Sequence, residues 1–202
     1  MKTNPIMPSQ NAVTVILARH GETVANRQGI VLGRQDSPLT PEGKAMVQNL
    51  ARLLPASPSG MIVSSPLGRA VTSAGIFASH TGWPIRVVDE LAEISAGQWE
   101  GHPRREIMPE RIYLRSSWDE APPDGESYLD AEIRVATAIE KINAISHHDP
   151  ILIVGHAAVN RVFLKIRLGI QPEEAMQILF THQEIFVLET CGRRIDVRQI
   201  GG

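Results

Sequence analysis

The chain has 202 residues, 43% of them hydrophobic and 21% charged, with a formal net charge of -2. Those values describe an ordinary globular protein with room for one substantial core, and they exclude a global basic field that would draw it to nucleic acid or an anionic membrane. Cys191 is the only cysteine, so an intrachain disulfide and multi-cysteine zinc sites are excluded as well.

Residues 1–10, with Pro5, Pro8 and Ser9, read as a flexible tail, and 11–202 read as one domain. The apolar stretch from Ala12 to Ala18 is too short for most signal-peptide cores. No run approaches the roughly 20 residues that span a bilayer, so the expectation is a cytoplasmic protein with no membrane partner. Val13–Leu17 reads as a first buried strand that delivers Arg19-His20-Gly21-Glu22-Thr23. Thr40 and Pro41 then supply an N-cap and a first helical residue, Met46, Leu50, Leu53 and Leu54 share a face, and Pro55 stops the helix. A second buried strand, Met61–Val63, leads into Ser64-Ser65-Pro66-Leu67-Gly68-Arg69. The helix from Pro66 is expected to bury Ala70, Val71, Ala74, Phe77 and Ala78 before Gly82. Ile85–Val88 is a third buried strand, followed by Glu90-Leu91-Ala92-Glu93.

Beyond Ser95 the periodicity breaks. Trp99, Trp118 and Pro122-Pro123 mark an excursion over one end of the sheet, a lid or specificity segment across residues 95–125, with both tryptophans as packing residues. Leu129, Ile133, Ala136, Ile139 and Ile142 mark the next helix, and His147-His148 the solvated turn after it. Ile151–Val154 is a fourth buried strand ending in Gly155-His156. A helix then sets Val159, Val162, Phe163 and Ile166 on one face and ends near Gly169. Glu184–Glu189 and Ile195–Ile200 alternate around Cys191-Gly192-Arg193 as an antiparallel hairpin, whose open edge is a candidate surface for a homodimer.

Strand–helix alternation gives an α/β class: a single-domain, three-layer αβα sandwich with a mostly parallel sheet and an antiparallel C-terminal strand or hairpin. Ligands bind such sheets beyond the carboxyl ends of the strands. That edge receives Arg19, His20, Arg69, Glu93 and His156 from four separate crossovers. Each is unremarkable alone, since a strand-end histidine is usually a hydrogen-bonded structural residue. Arg69 in a first helical turn opposes the helix dipole and needs an anionic partner, either a ligand or a neighbouring carboxylate. Together with helix N-termini, two guanidiniums suited to bidentate contact point to phosphate.

The blocks Leu17-Ala18-Arg19-His20-Gly21-Glu22-Thr23, Asp36-Ser37-Pro38-Leu39-Thr40, Ser64-Ser65-Pro66-Leu67-Gly68-Arg69-Ala70, Leu91-Ala92-Glu93 and Val154-Gly155-His156 resemble the histidine phosphatase (phosphoglycerate mutase-like) superfamily. With Asn26, Gly33, Gly43 and the Gly97–Gly101 run, they stand in that family's order. The resemblance implies His20 as nucleophile and Arg19, Arg69 and His156 as ligands of the transferring phosphoryl group. Asn26 and the amides near Gly33 and Ala157 would touch its oxygens, and Glu93 would protonate the leaving alkoxide. It implies no metal and no cofactor.

The chemistry suits those residue types. A neutral imidazole attacks a phosphate dianion without charge repulsion, and two nearby arginines favour the neutral ring. Arg19, Arg69 and a protonated His156 would neutralise the charge in place of Mg²⁺. Glu93 has to carry a proton to act as general acid. No His-Glu-x-x-His, Walker loop or Gly-x-Ser-x-Gly occurs. His102 and His182 are read as surface or core residues, and Glu126 as either a support of the site or a helix-dipole carboxylate.

The expected reaction is hydrolysis of a small phosphomonoester, a sugar phosphate or an α-ribazole phosphate, as in the small bacterial-type members that Pro122-Pro123-Asp124-Gly125-Glu126-Ser127 resembles. Two alternatives stand beside it. A phosphoglycerate mutase would follow the acidic residue with a run like Arg-His-Tyr-Gly, where this chain has Ile94-Ser95-Ala96-Gly97 and a shorter interval to His156. A non-catalytic phospho-ligand-binding protein would be expected to have lost His20, Glu93 or an arginine. Ala157-Ala158 replaces the family's frequent Gly-Gly and narrows the space left for substrate.

Overall fold

In the computed structural model the elements run β1 (Val13–Arg19), α1 (Val24–Arg27), α2 (Pro41–Ala51), β2 (Met61–Ser64), α3 (Gly68–Thr81), β3 (Ile85–Val87), α4 (Arg104–Ile107), α5 (Tyr128–Asn143), β4 (Ile151–Gly155), α6 (Ala157–Leu168), α7 (Pro172–Met176), β5 (Glu184–Cys191) and β6 (Arg194–Gly201). Residues 13–54, 59–108, 115–145, 150–191 and 194–201 are described; the tail at 1–10, Pro55, His147-His148 and Gly192-Arg193 lie outside them. One six-stranded sheet has the order β3-β2-β4-β1-β5-β6. The first four strands in the chain are mutually parallel, β5 runs antiparallel to β1, and β6 to β5.

Alternate residues of the central strands feed two cores, as doubly covered strands must. Leu17, Val63 and Ile153 pack with Val135 and Ile139 of α5 and Phe163 of α6. Ile16, Ile62 and Leu152 pack with Val47 and Leu50 of α2 and Phe77 of α3. The three-layer sandwich follows. The register pairs Arg19 with Gly155 and Ser64 with Val154, so three strands end level and their next residues leave the sheet side by side.

Several faces differ from expectation. β3 is not buried: Ile85 and Val87 are 40% and 48% exposed, because the strand closes the sheet and has no outer neighbour. α2 ends at Ala51, before Pro55, and buries Gly43 and Val47 where Met46 was expected to lead. α3 starts at Gly68, with Leu67 and not Pro66 preceding it. Val71 is exposed, and Ser73 takes the inward position, its hydroxyl accepting from Gly21 N and donating to Arg69 O. On α5 Ile139 and Ile142 are buried as expected, but the first half of the stripe is not: Leu129 and Ile133 are 53% and 80% exposed, while Tyr128, Ala131, Val135 and Ala138 face inward. Small alanines let this helix lie close to its neighbour, so they and not the larger Leu129 and Ile133 mark the buried side.

Within the excursion, Gly97–Trp99 forms a single 3-10 turn before α4. Trp118 is buried and stacks on Tyr128 at 4.7 Å, while Trp99 is half-buried. Among the described residues no helix is long and apolar enough to cross a membrane.

Candidate active site

A cavity of about 450 Å³ opens at the carboxyl ends of the parallel strands, and Arg19, His20, Asn26, Gly33, Arg69, Glu93 and Ala157 all line it. His20 follows the last residue of β1 and is 3% exposed. Its Nδ1 lies 2.8 Å from the Gly21 carbonyl, which can only accept. The ring proton therefore sits on Nδ1, and Nε2 keeps its lone pair, facing Arg69 Nε at 3.2 Å. Burial above all, then His156, Arg19, Arg69 and His182, pushes the imidazole well below its ordinary value of 6.5. The ring is neutral, with desolvation ahead of the like-charge repulsion that the sequence suggested.

The turn carrying His20 is pressed against α2. A Cβ on Gly21 would lie 2.6 Å from Gly43 O, and one on Gly43 would lie 2.2 Å from Glu22 O. No side chain fits either place.

Arg69 is buried in the first turn of α3, where Nη1 and Nη2 donate to Gln35 O (2.6 Å) and Gly33 O (2.7 Å). The anionic partner demanded by the helix dipole is Asp36: its Oδ1 is 3.4 Å from Nη1 and accepts Arg69 N at 3.2 Å. Gly33 has φ +52°, and a Cβ there would meet Glu100 Oε1 at 2.1 Å, so glycine is required on both counts. Its carbonyl serves Arg69. Asn26 holds Thr23 N through Oδ1, which leaves its Nδ2 hydrogens unspent among the described residues.

Arg19 donates Nη1 to Phe180 O at 3.0 Å, while its buried Nε has no hydrogen-bond partner among the described residues. Burial lowers its pKa to about 10, with Glu93 acting in the opposite sense. The Glu93 Oε1 accepts Ile94 N (2.9 Å) and Val159 N (3.3 Å) in the first turn of α6. His156, the N-cap of α6, is fully buried behind the cavity surface, its ring centre 5.1 Å from that of His20. Its Nε2 pairs with Ser65 Oγ at 2.7 Å, and Nδ1 is buried without a partner among the described residues. Burial, with Arg69 and Arg19, pushes this ring well below 6.5. The expected protonated His156 is therefore replaced by a neutral ring, which leaves the two arginines as the cationic groups beside His20.

His182, read from sequence as a surface or core residue, lines the cavity, and its Nδ1 donates to His20 O at 2.6 Å. Burial pushes it to about 4. The missed signal was topological: an antiparallel strand starts at the edge where parallel strands finish, so the residues before β5 arrive beside His20. His102 is exposed and is not among the residues that line the cavity.

The opposite wall was also missed. Arg161 of α6 donates to Tyr128 Oη (2.7 Å) and to Ile178 O (2.9 and 3.2 Å). Arg115 donates to Glu126 O (2.9 Å) and Ser95 O (3.0 Å). Both guanidinium carbons lie 5.4 Å from the centre of the Tyr128 ring. Glu126 precedes the Ser127 cap of α5; its carboxylate accepts Ser95 N and pairs with Arg34 and Arg134, so it supports the segment after Glu93. Among the described residues no group of three or more His, Cys, Asp and Glu side chains is placed to hold a metal ion.

A family model described as the histidine phosphatase superfamily (branch 1) matches residues 15–201. The chain is 31% identical over 188 residues to the adenosylcobalamin/alpha-ribazole phosphatase of Escherichia coli K12, covering 91% of this chain and 89% of that one. It is 29% identical to a probable phosphoglycerate mutase of Yersinia enterocolitica, over 78% of this chain and 76% of the other. Among solved structures, a putative alpha-ribazole-5'-P phosphatase from Escherichia coli superposes with a TM-score of 0.82 at 27% identity, covering 95% and 97% of the two chains.

Proposed function

The chain belongs to the histidine phosphatase superfamily, and from that premise we propose that it hydrolyses small phosphomonoesters through a phosphohistidine on Nε2 of His20. The observation that carries the proposal is a neutral, buried imidazole whose proton is pinned on Nδ1 and whose other nitrogen faces a cavity lined by Arg19 and Arg69.

In the first half-reaction Nε2 attacks phosphorus, the N–P bond forms and the ester P–O bond breaks. The leaving alkoxide takes its proton from Glu93. Arg69 Nε, which faces Nε2 in the free site, turns its hydrogen bond to a phosphoryl oxygen, and Arg19 brings its unpartnered Nε. The Asn26 amide and the first N–H groups of α6 at Ala157 and Ala158 complete the cradle. The neutral His156 donates one N–H. In the second half-reaction Glu93 takes a proton from the attacking water, the N–P bond breaks, and inorganic phosphate leaves. Water in and alcohol plus phosphate out balance the cycle.

The run after Glu93 gives the cavity Ile94 and Ala96 and no cation, which favours hydrolysis over the mutase alternative. The likeness to alpha-ribazole phosphatases supports a sugar phosphate or α-ribazole phosphate type of substrate. The proposal includes a cytoplasmic setting, in keeping with a one-cysteine enzyme that has no disulfide to maintain.

The test is hydrolysis of p-nitrophenyl phosphate in excess EDTA, with trapping of the phosphoenzyme by an alkaline detergent quench. Wild type is expected to turn over and to yield an acid-labile, alkali-stable phosphoryl group. His20→Ala is expected to lose at least about 10⁴-fold in rate and all of the label. Label or turnover retained by His20→Ala would overturn the proposal.

A further inference from the structure

His20, Arg69 and His156 leave the end of a strand or the first turn of a long helix. Glu93 does not. The edge strand β3 ends at Val87, the 3-10 turn after it ends at Leu91, and Glu93 to Ala96 belong to no regular element. A general acid has to stay within reach of one leaving oxygen, and irregular backbone does not hold a side chain to that tolerance unaided.

A charged clasp from α5 supplies what the sheet does not. Arg134 donates Nη1 to Glu90 O (2.8 Å) and to Ala92 O (2.7 Å), the carbonyl just before Glu93. Its Nε and Nη2 reach Glu126 Oε1 (3.3 Å) and Oε2 (3.2 Å). Glu126 Oε2 also accepts Ser95 N at 2.9 Å, and Oε1 pairs with Arg34 Nη2 at 3.0 Å. Arg34 Nε returns to Glu93 O at 3.4 Å. The backbone is therefore gripped at Glu90, Ala92, Glu93 and Ser95, on both sides of the acid. Four of the five guanidinium N–H groups of Arg134 are spent in this way, and Arg134 is not among the residues that line the cavity. Burial alone would raise the Glu126 pKa, yet the Ser95 amide, Arg134 and Arg34 hold it below the ordinary value of 4.5, so the clasp is ionised in neutral solution.

We propose that Arg134 is a positioning residue for the general acid. Through two carbonyls before Glu93 and, by way of Glu126, the amide of Ser95 after it, Arg134 sets where the carboxyl points. It touches no substrate, so its loss should impair proton donation to the leaving group and spare the attack of His20. The inference rests on the phosphatase reading and deepens it.

The test compares kcat/KM on phenyl phosphate and p-nitrophenyl phosphate, esters of similar shape whose leaving groups differ in their need for a proton. Both constants come from one preparation, so their ratio does not depend on how much of a variant folds. Arg134→Gln is expected to lose about tenfold or more on phenyl phosphate and less than about threefold on p-nitrophenyl phosphate. In a Glu93→Gln background, adding Arg134→Gln is expected to change neither constant by more than about twofold, because the group it positions is gone. Losses that are equal on the two esters, or that add in full to those of Glu93→Gln, would reduce Arg134 to a structural residue and overturn the inference alone. Turnover that survives in His20→Ala would sink the phosphatase reading, and the inference with it.

Discussion

The cavity has two walls that are built on different principles. On the His20 side, each side chain leaves the level end of a buried strand or the first turn of a long helix, and close backbone contacts such as Gly21 against Gly43 fix the direction of departure. On the Arg115 side, the side chains come from an irregular segment, the first residue of α5 and the second turn of α6, and are held by carbonyls of non-repetitive backbone. The first wall is preset by the sheet. The second is assembled by side chains reaching to carbonyls of other segments, so a change there leaves the level strand ends in place.

Removing a preset group should cost most. Arg69→Ala is expected to lower kcat/KM by about 10²–10³-fold, as for other preorganised donors to a developing charge. It also strips Gly33 O and Gln35 O of their donor, so a loss below tenfold in steady-state kinetics would show that the preset wall tolerates rearrangement.

Glu93→Gln should cost about 10²-fold or more on an alkyl phosphate and far less on p-nitrophenyl phosphate, whose leaving group needs no proton. Equal losses on both substrates would remove Glu93 from its role as general acid.

The walls also differ in titration. His20, His156 and His182 are all held neutral by burial, while the opposite wall carries no histidine. Above the unfolded value of 6.5 neither state binds the proton. Below it the unfolded chain does and the folded chain does not, so stability is lost as pH falls from 6.5, for His182 down to about 4. Each ring contributes up to about 1.4 kcal/mol per pH unit in that window. Urea unfolding at pH 7.5, 6 and 5 should show the decline, and His182→Asn should flatten it by one proton; stability constant from pH 7.5 to 5 would contradict the burial argument.

The smallest effect belongs to Ile133 on α5, which starts at the second wall: Ile133→Lys should change stability by no more than about 0.5 kcal/mol, whereas Val135→Ala on the inward face should cost about 1–3 kcal/mol. Thermal or chemical melts of the pair distinguish the observed inward face from the one that hydrophobic size alone suggests.

Much of the preset wall was legible in the sequence for the same reason that it is preset. Short β-branched runs mark buried strands, strand ends mark the edge, and Arg19, His20, Arg69, Glu93 and His156 then fall together. What failed was phase and distance. On α5 two stripes share the helical period and meet at Ile139 and Ile142; over the first half of the helix Ala131, Val135 and Ala138 turn inward, not Leu129 and Ile133. Arg115, Tyr128 and Arg161 lie in no common pattern, since nothing in one stretch of chain records a contact with another 33 residues away. His182 was recoverable, because the hairpin was expected and its direction fixes where β5 begins.

The backbone leading into β5 touches both walls: Ile178 O receives Arg161, Phe180 O receives Arg19, and His182 holds His20 O. That segment is a strap tied at three points to β1 and α6. Shortening it by a residue would draw those ties together by up to about 3.3 Å, which would narrow the cavity between Arg19 and Arg161 without replacing either arginine.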